Sequence, residues 1–230
     1  MITTTTTAGI PSRKSSGSAA RPIVFVVDDD ISVRESLELL IQASGWQPET
    51  CGSAREFLAR PRTGVPSCLI LDLALPDYNG LDLQKRVAVD RSDMPVIFLT
   101  GHGDVSTSVQ AMKAGAIEFL TKPFGDQALL GAIVHGLERS RRSLEHDAEM
   151  KVLRERYARL TRREREVMVL VVSGLLNKQV AGELGISEIT VKAHRGQVMR
   201  KMNADSLPAL VRMVARLDLA TAPGQSDTRH

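Results

Sequence analysis

Four short, mostly apolar runs punctuate the first half of the chain, at 23–27, 68–71, 95–99 and 116–120. Runs this short and this apolar are the habit of strands buried on both faces of a parallel sheet. Between them the period changes to that of a helix. Val33, Leu37, Leu40 and Ile41 predict a helix closed by Gly45. Leu81 and Val87 mark another, beginning near Asn79-Gly80. Asp104 can cap a third, which Gly115 ends. Leu129, Leu130, Ile133, Val134 and Leu137 mark a fourth. Gln47 to Cys51 reads as a weaker strand, and Ser53 with Glu56 as a capping box opening a short helix. This alternation predicts an α/β fold: a doubly wound, five-stranded parallel sheet of order 2-1-3-4-5 with helices on both faces.

The second half is helical throughout. Residues 138–159 are dense in both charge signs, with Leu144, Met150, Leu153 and Tyr157 sparsely spaced, and read as a helical continuation of the helix before them and then a linker, the helical linker being set at 139–157. Thr161 and Glu164 form a capping box before Val167, Met168, Leu170 and Val171. A second helix starts near Asn177, Gly185-Ile186 makes a tight turn, and Ser187 caps a third helix through about Lys201. Ser206 starts a fourth. The pair around Gly185 is a helix-turn-helix arrangement, so a small all-α domain is expected over 158–222. On its third helix Ile189, Val191, Val198 and Met202 are expected to turn inward. Thr190, Lys192, Ala193, His194, Arg195, Gln197, Arg200 and Lys201 supply the remaining, basic surface. Such a helix can lie in the major groove of duplex DNA. A small dimerisation module with a solvated basic face is the alternative. The domain expected over 21–138 completes the division, with disordered tails at 1–20 and 223–230.

Charge sharpens the contrast between the halves. Residues 21–137 carry 10 Lys/Arg against 15 Asp/Glu, whereas 138–230 carry 18 against 12. An acidic half followed by a basic half points the second half toward a polyanion. Aromatic residues make up 3% of the chain, too few to stack many unpaired bases, which disfavours single-stranded nucleic acid. Cys51 and Cys68 make neither a disulfide framework nor a metal cluster, which suits a reducing, cytoplasmic setting. No stretch is apolar enough for a membrane span, and the first twenty residues lack the apolar core of a signal peptide.

The polar residues that end the strands are the candidate chemistry. Asp28 and Asp29 follow the first run, Asp72 the third strand, Thr100 the fourth and Lys122 the fifth. In a sheet of this order they converge on one edge, the first two groups flanking the topological switch point. Clustered carboxylates repel unless a cation joins them, and a few hard oxygens suit Mg²⁺. An Asp beside Mg²⁺ can accept a phosphoryl group, a reaction that needs mainly positioning and charge neutralisation. Helix capping by Asp28 to Asp30 and a surface role for Lys122 are the alternatives for each residue taken singly.

Residues 22 to about 138 resemble the receiver domain of two-component response regulators. The resemblance rests on Val27-Asp28-Asp29-Asp30, Asp72-Leu73-Ala74-Leu75-Pro76-Asp77-Tyr78-Asn79-Gly80, Leu99-Thr100-Gly101 and Lys122-Pro123-Phe124. It implies Asp72 as phospho-acceptor, and Asp28, Asp29, Asp72 and the Ala74 backbone carbonyl as Mg²⁺ ligands. It implies Thr100 and Lys122 as phosphate-sensing residues, Phe119 as the switch aromatic, and a cis Lys122-Pro123 bond. Ala74 is small where many relatives carry a longer side chain. It and His102 are expected to set the lifetime of the phosphate.

The second half is similar to LuxR-type DNA-binding domains. The motifs are Leu160-Thr161-x-Arg163-Glu164-x-Glu166-Val167, Gly174-x-x-Asn177-Lys178-Gln179-Val180-Ala181 and Ile186-Ser187-x-x-Thr190-Val191-Lys192-x-His194-Arg195. The segments around Val198-Met199 and Ser206-Leu207-Pro208 resemble the FixJ branch. The resemblance implies DNA contacts at Thr190, Lys192, His194 and Arg195, while Gly196 lacks a side chain where some relatives place one. It implies a sensor histidine kinase and double-stranded promoter DNA as partners, a homodimer on phosphorylation, RNA polymerase at the promoter, and no membrane. The expected protein is a transcription regulator and not an enzyme. Two competing readings are an aspartyl-phosphate phosphatase, which would want an Asp where Ala74 stands, and a phosphorylation-gated adaptor for protein or RNA.

Overall fold

A computed structural model of the chain describes residues 21–101 and 105–217. The chain divides into two compact units between Arg142 and Ser143.

The first unit is built on five parallel strands: β1 (Ile23–Val27), β2 (Gln47–Cys51), β3 (Ser67–Asp72), β4 (Val96–Thr100) and β5 (Glu118–Thr121). Their order is β2-β1-β3-β4-β5, as the alternation predicted. The helices between them are α1 (Ile31–Ala43), α2 (Ala54–Ala59), α3 (Gly80–Asp90) and α4 (Val105–Lys113). Strand residues alternate between two cores because successive side chains point to opposite faces. Phe25, Val27, Leu69, Leu71, Val96 and Phe98 pack with Phe57 of α2 and Leu83 and Val87 of α3. Val24, Val26, Cys68, Ile70, Ile97 and Leu99 pack with Leu37 and Ile41 of α1 and with Leu129, Ile133 and Leu137. Burial on both faces is why these strands read as continuous apolar runs.

Strand β5 starts two residues later than its apolar run suggests. Ala116 and Ile117 are buried ahead of it, and the Ile117 N–H donates to the Val96 carbonyl. The expected cap Asp104 lies outside the described residues, as does His102.

Helix α5 (Asp126–Ala158) continues without a break through the stretch read as a linker. Its later residues Met150 and Leu153 are buried in the second unit, against Leu160, Met168, Val198, Met202, Leu210 and Val214. The rest of that unit is α6 (Arg162–Val172), α7 (Asn177–Leu184), α8 (Glu188–Met202) and α9 (Leu207–Arg216). The Thr161–Glu164 capping box is formed in full. Gly185 ends α7 at φ 63°, a left-handed conformation that favours glycine, and so sets the turn into α8. No helix of the described residues is long and apolar enough to cross a membrane.

Candidate functional site

Four strand ends meet at the carboxyl edge of the sheet. Val27 of β1 stands in register with Leu71 of β3, so the next residues, Asp28 and Asp72, emerge side by side. Thr100 closes β4 in register with Thr121 of β5, and Lys122 follows. The Lys122 ammonium reaches across this edge to both carboxylates, 2.7 Å from Asp28 Oδ2 and 2.8 Å from Asp72 Oδ1. Burial alone would lower its pKa, but the hydrogen bonds and charges of Asp28 and Asp72 outweigh that and hold it above the ordinary lysine value. The other carboxylate oxygens accept from backbone. Asp28 Oδ1 takes the Asp30 N–H at 2.9 Å, and Asp72 Oδ2 takes the Ala74 N–H at 2.7 Å.

Asp28 and Asp72 are 2% and 7% exposed. One ammonium against two buried carboxylates leaves a negative excess, which the neighbouring Asp29 increases. Asp29 itself is exposed. The structure therefore joins two of the three expected carboxylates. Among the described residues no three acidic, imidazole or thiol groups close into a metal cage. The physical reason is repulsion: with Lys122 satisfying the inner pair, a third carboxylate is better solvated at the rim. The donor chemistry fits a hard divalent cation all the same. It offers oxygen ligands, a charge excess, and a solvent-facing side where such an ion can keep its waters.

Thr100 is buried at the end of β4, and its carbonyl accepts the Lys122 N–H at 2.7 Å. The Lys122-Pro123 bond is cis. Phe119 is half-buried, its ring tilted 44° to that of Phe98 with centroids 6.2 Å apart. Ala74 is exposed in the loop after β3, where it forms an isolated antiparallel bridge with Asn79. Gly80 closes the base of that loop. A Cβ there would lie 3.0 Å from the Asp72 carbonyl and from Leu73 backbone atoms, so a side chain could enter only by moving the backbone that carries Asp72.

In the second unit, Val191, Val198 and Met202 of α8 are buried as expected, but Ile189 is 79% exposed. Its expected inward orientation is a misreading of phase: two residues from Val191 is ~200° around the helix. Lys192, Ala193, Gly196 and Arg200 are exposed with it, while Thr190, His194, Arg195, Gln197 and Lys201 are half-buried. Several polar groups are engaged within the fold. Arg195 Nη1 donates to Asn177 Oδ1 at 3.2 Å, tying α8 to the start of α7. Lys201 Nζ lies 2.7 and 2.8 Å from the two Glu164 oxygens. Burial would raise the Glu164 pKa, but Lys201 and the Thr161 backbone and hydroxyl outweigh it and hold the carboxyl below its ordinary value. Lys192 makes a looser pair with Glu188 at 3.3 Å.

Comparison with known proteins decides the family. Residues 24–134 match the response regulator receiver domain, and residues 158–214 match the bacterial regulatory proteins of the luxR family. Nodulation protein W of Bradyrhizobium diazoefficiens is 48% identical over 203 residues, covering 88% of this chain and 89% of that protein. The transcriptional regulatory protein FixJ of Azorhizobium caulinodans is 42% identical over 208 residues, covering 89% and 97%. The solved structure of the response regulator StyR is 46% identical, with a TM-score of 0.77, covering 86% of this chain and all of that one. The chain belongs to the FixJ/NarL-type response regulators.

This FixJ/NarL-type regulator is a phosphorylation-activated transcription regulator. Two side chains at its strand-end site escaped the sequence reading. Arg34 of α1 donates through Nη1 to the carbonyls of Asp28 and Asp29, at 2.6 and 2.9 Å. Asp77 accepts from the N–H groups of Ala54 and Arg55, at 3.3 and 3.1 Å. The only signal for Arg34 is its place one turn into the helix that the acidic run precedes. Asp77 stands within the motif that follows β3, but nothing in the pattern marks its partners, which lie 22 and 23 residues away.

Proposed function

We propose that Asp72 is the phospho-acceptor, that Asp28, Asp29, Asp72 and the Ala74 carbonyl hold Mg²⁺, and that Thr100, Lys122 and Phe119 carry the response. The observation behind this reading is the Lys122 ammonium shared by two buried carboxylates at neighbouring strand ends. Mg²⁺, when bound, would neutralise the acidic excess and the charge that develops on the transferring phosphoryl group. An Asp72 oxygen attacks the phosphorus of a phosphohistidine on the sensor kinase. The P–N bond breaks and the histidine leaves. Ala74 N–H and Lys122 hold the carboxylate in one orientation for that attack.

The acyl phosphate brings a stronger anionic partner to Lys122 than a carboxylate does, and Thr100 can add a hydroxyl donor. Lys122 and Thr100 then draw toward it, and Phe119 turns inward beside Phe98. The face formed by α4, β5 and α5 repacks and favours a homodimer. Phosphate acts here as a differential ligand for two states of one unit. Two α8 helices meet paired half-sites of double-stranded promoter DNA, through Thr190, Lys192, His194 and the part of Arg195 not committed to Asn177. This reading places the protein in the cytoplasm, at promoters, where RNA polymerase is the further partner.

The test is Asp72→Asn in the full chain, treated with a small phosphodonor and Mg²⁺. Dimerisation is followed by light scattering and DNA capture by gel shift on fragments selected by the phosphorylated parent. The variant is expected to keep its circular dichroism and lose all phosphodonor stimulation. Stimulation equal to that of the parent would refute Asp72 as the acceptor.

A further inference from the structure

The two loops that would carry the cation ligands are not held by the sheet alone. One is the turn after β1, with Asp28 and Asp29. The other is the loop after β3, with Ala74. Both are tied to the same third place, the junction of β2 and α2 at residues 51–55. From one side, Arg34 grips the Asp28 and Asp29 carbonyls with one nitrogen, at 2.6 and 2.9 Å. Its guanidinium lies over Gly52, Nη1 being 3.6 Å from where a side chain there would begin. The Asp28 N–H also donates to the Cys51 carbonyl at 3.3 Å. From the other side, both Asp77 oxygens accept the first two N–H groups of α2. The junction is itself braced: the Gly52 N–H donates to Glu56 Oε2 at 2.9 Å, and Ser53 Oγ accepts from the Glu56 N–H at 3.2 Å.

Arg34 and Asp77 touch neither Asp72 nor Lys122 in any of these bonds. They act on backbone: Arg34 on the two residues whose carboxylates would meet the cation, Asp77 on the loop whose carbonyl would complete its ligands. Mg²⁺ demands near-ideal octahedral geometry, so small shifts of either loop reduce affinity. Losing a group that holds ligands in place typically costs roughly 10- to 100-fold in metal affinity. We propose that Arg34 and Asp77 are positioning residues for the divalent cation, docking its two ligand loops on the junction of β2 and α2. The inference rests on the cation reading above and adds to it the part of the fold that sets the affinity.

The test titrates Mg²⁺ alone into the full chain by calorimetry, for the parent and for Arg34→Ala, Asp77→Ala, Asp77→Asn and the double variant Arg34→Ala/Asp77→Ala. Each alanine variant is expected to bind Mg²⁺ roughly 10-fold or more weakly, the range found for outer-shell partners. Asp77→Asn keeps one acceptor oxygen and is expected to recover part of the loss. Because Arg34 lies over Gly52 and Asp77 bonds the amides of Ala54 and Arg55 beside it, the double variant should fall short of the product of the single losses. Hydrogen exchange without metal gives a second readout: the Ala54 and Arg55 amides should exchange faster in Asp77→Ala. Phosphorylation from a small phosphodonor should shift its half-saturating Mg²⁺ more than its rate at saturation.

A merely structural role would lower the melting temperature and leave the Mg²⁺ affinity within about twofold of the parent, well inside the loss expected of an outer-shell partner. That outcome overturns the proposal, provided Asp29→Asn and Asp72→Asn do lose Mg²⁺. If those two also bind like the parent, the cation site itself is misassigned, and this inference falls with it.

Discussion

Lys122 is the residue on which the strand-end site turns, because it gives two nearly inaccessible carboxylates their counter-charge. Breaking a buried pair strands the remaining charge, a cost that Lys122's own partial exposure reduces to about 2 kcal/mol. Lys122→Met should therefore lower the unfolding free energy of the metal-free protein, read from urea titration, by that amount, and millimolar Mg²⁺ should restore part of it. Unchanged stability would mean that the inner carboxylates are solvated after all. Ile189 poses the opposite case, a large apolar side chain left in water on a helix that reads as DNA-facing. Ile189→Ser should change stability by no more than about 0.5 kcal/mol. It should weaken binding to fragments selected by the parent, measured by gel shift. Equal affinity would remove Ile189 from the DNA surface. The residues at strand ends were legible because an apolar run stopping at a polar group marks the edge of a sheet. Arg34 and Asp77 were not: Arg34 meets backbone carbonyls, which no side-chain pattern marks, and the partners of Asp77 lie 22 and 23 residues away.

Helices announce their own boundaries when the cap is a side chain, and here most do. Thr161, Ser187 and Ser206 each accept the backbone N–H three residues on, which any reader of the chain can anticipate. Helix α5 is different, because charge density in its middle hides the periodicity. Met150, Leu153 and Tyr157 are spaced by three and four residues, and in the structure they line one stripe against the second unit. What read as a linker thus contributes to the core of the helix-turn-helix unit. Leu153 is 5% exposed, so Leu153→Ala should cost about 2–4 kcal/mol of that unit's stability. Thermal unfolding of fragments 143–217 and 158–217 would show the same dependence, the shorter fragment melting lower.

Across the whole molecule, acidic and basic character are divided between the two units, but both bury carboxylates. The first unit gathers carboxylates around an ammonium; the second gathers cations on α8 and buries Glu164 against Lys201. Glu164 is held below its ordinary pKa in the folded state. Its contribution to stability is therefore present above the unfolded value of about 4.3 and is lost as pH falls through the folded one. Urea midpoints of the second unit should decline below about pH 4.3, and Glu164→Gln should flatten that decline. An unaltered slope would exclude Glu164 as the source. The thiols behave differently: desolvation pushes Cys51 up to about 11 and Cys68 up to about 12, so neither offers a thiolate at neutral pH.

The order of strands, the helix-turn-helix pair, the meeting of polar strand ends at one edge and the family were all determined by the chain itself, through period, punctuation and short motifs. These are local signals, set by which face a residue presents and by where an apolar run must stop. Tertiary structure alone decided which two of three carboxylates share an ammonium, that Met150 and Leu153 of α5 are buried with the helices that follow, and that Asp77 grips the start of α2. Those outcomes depend on distance between segments remote in sequence, and on the competition between burial and solvation that only a packed molecule resolves.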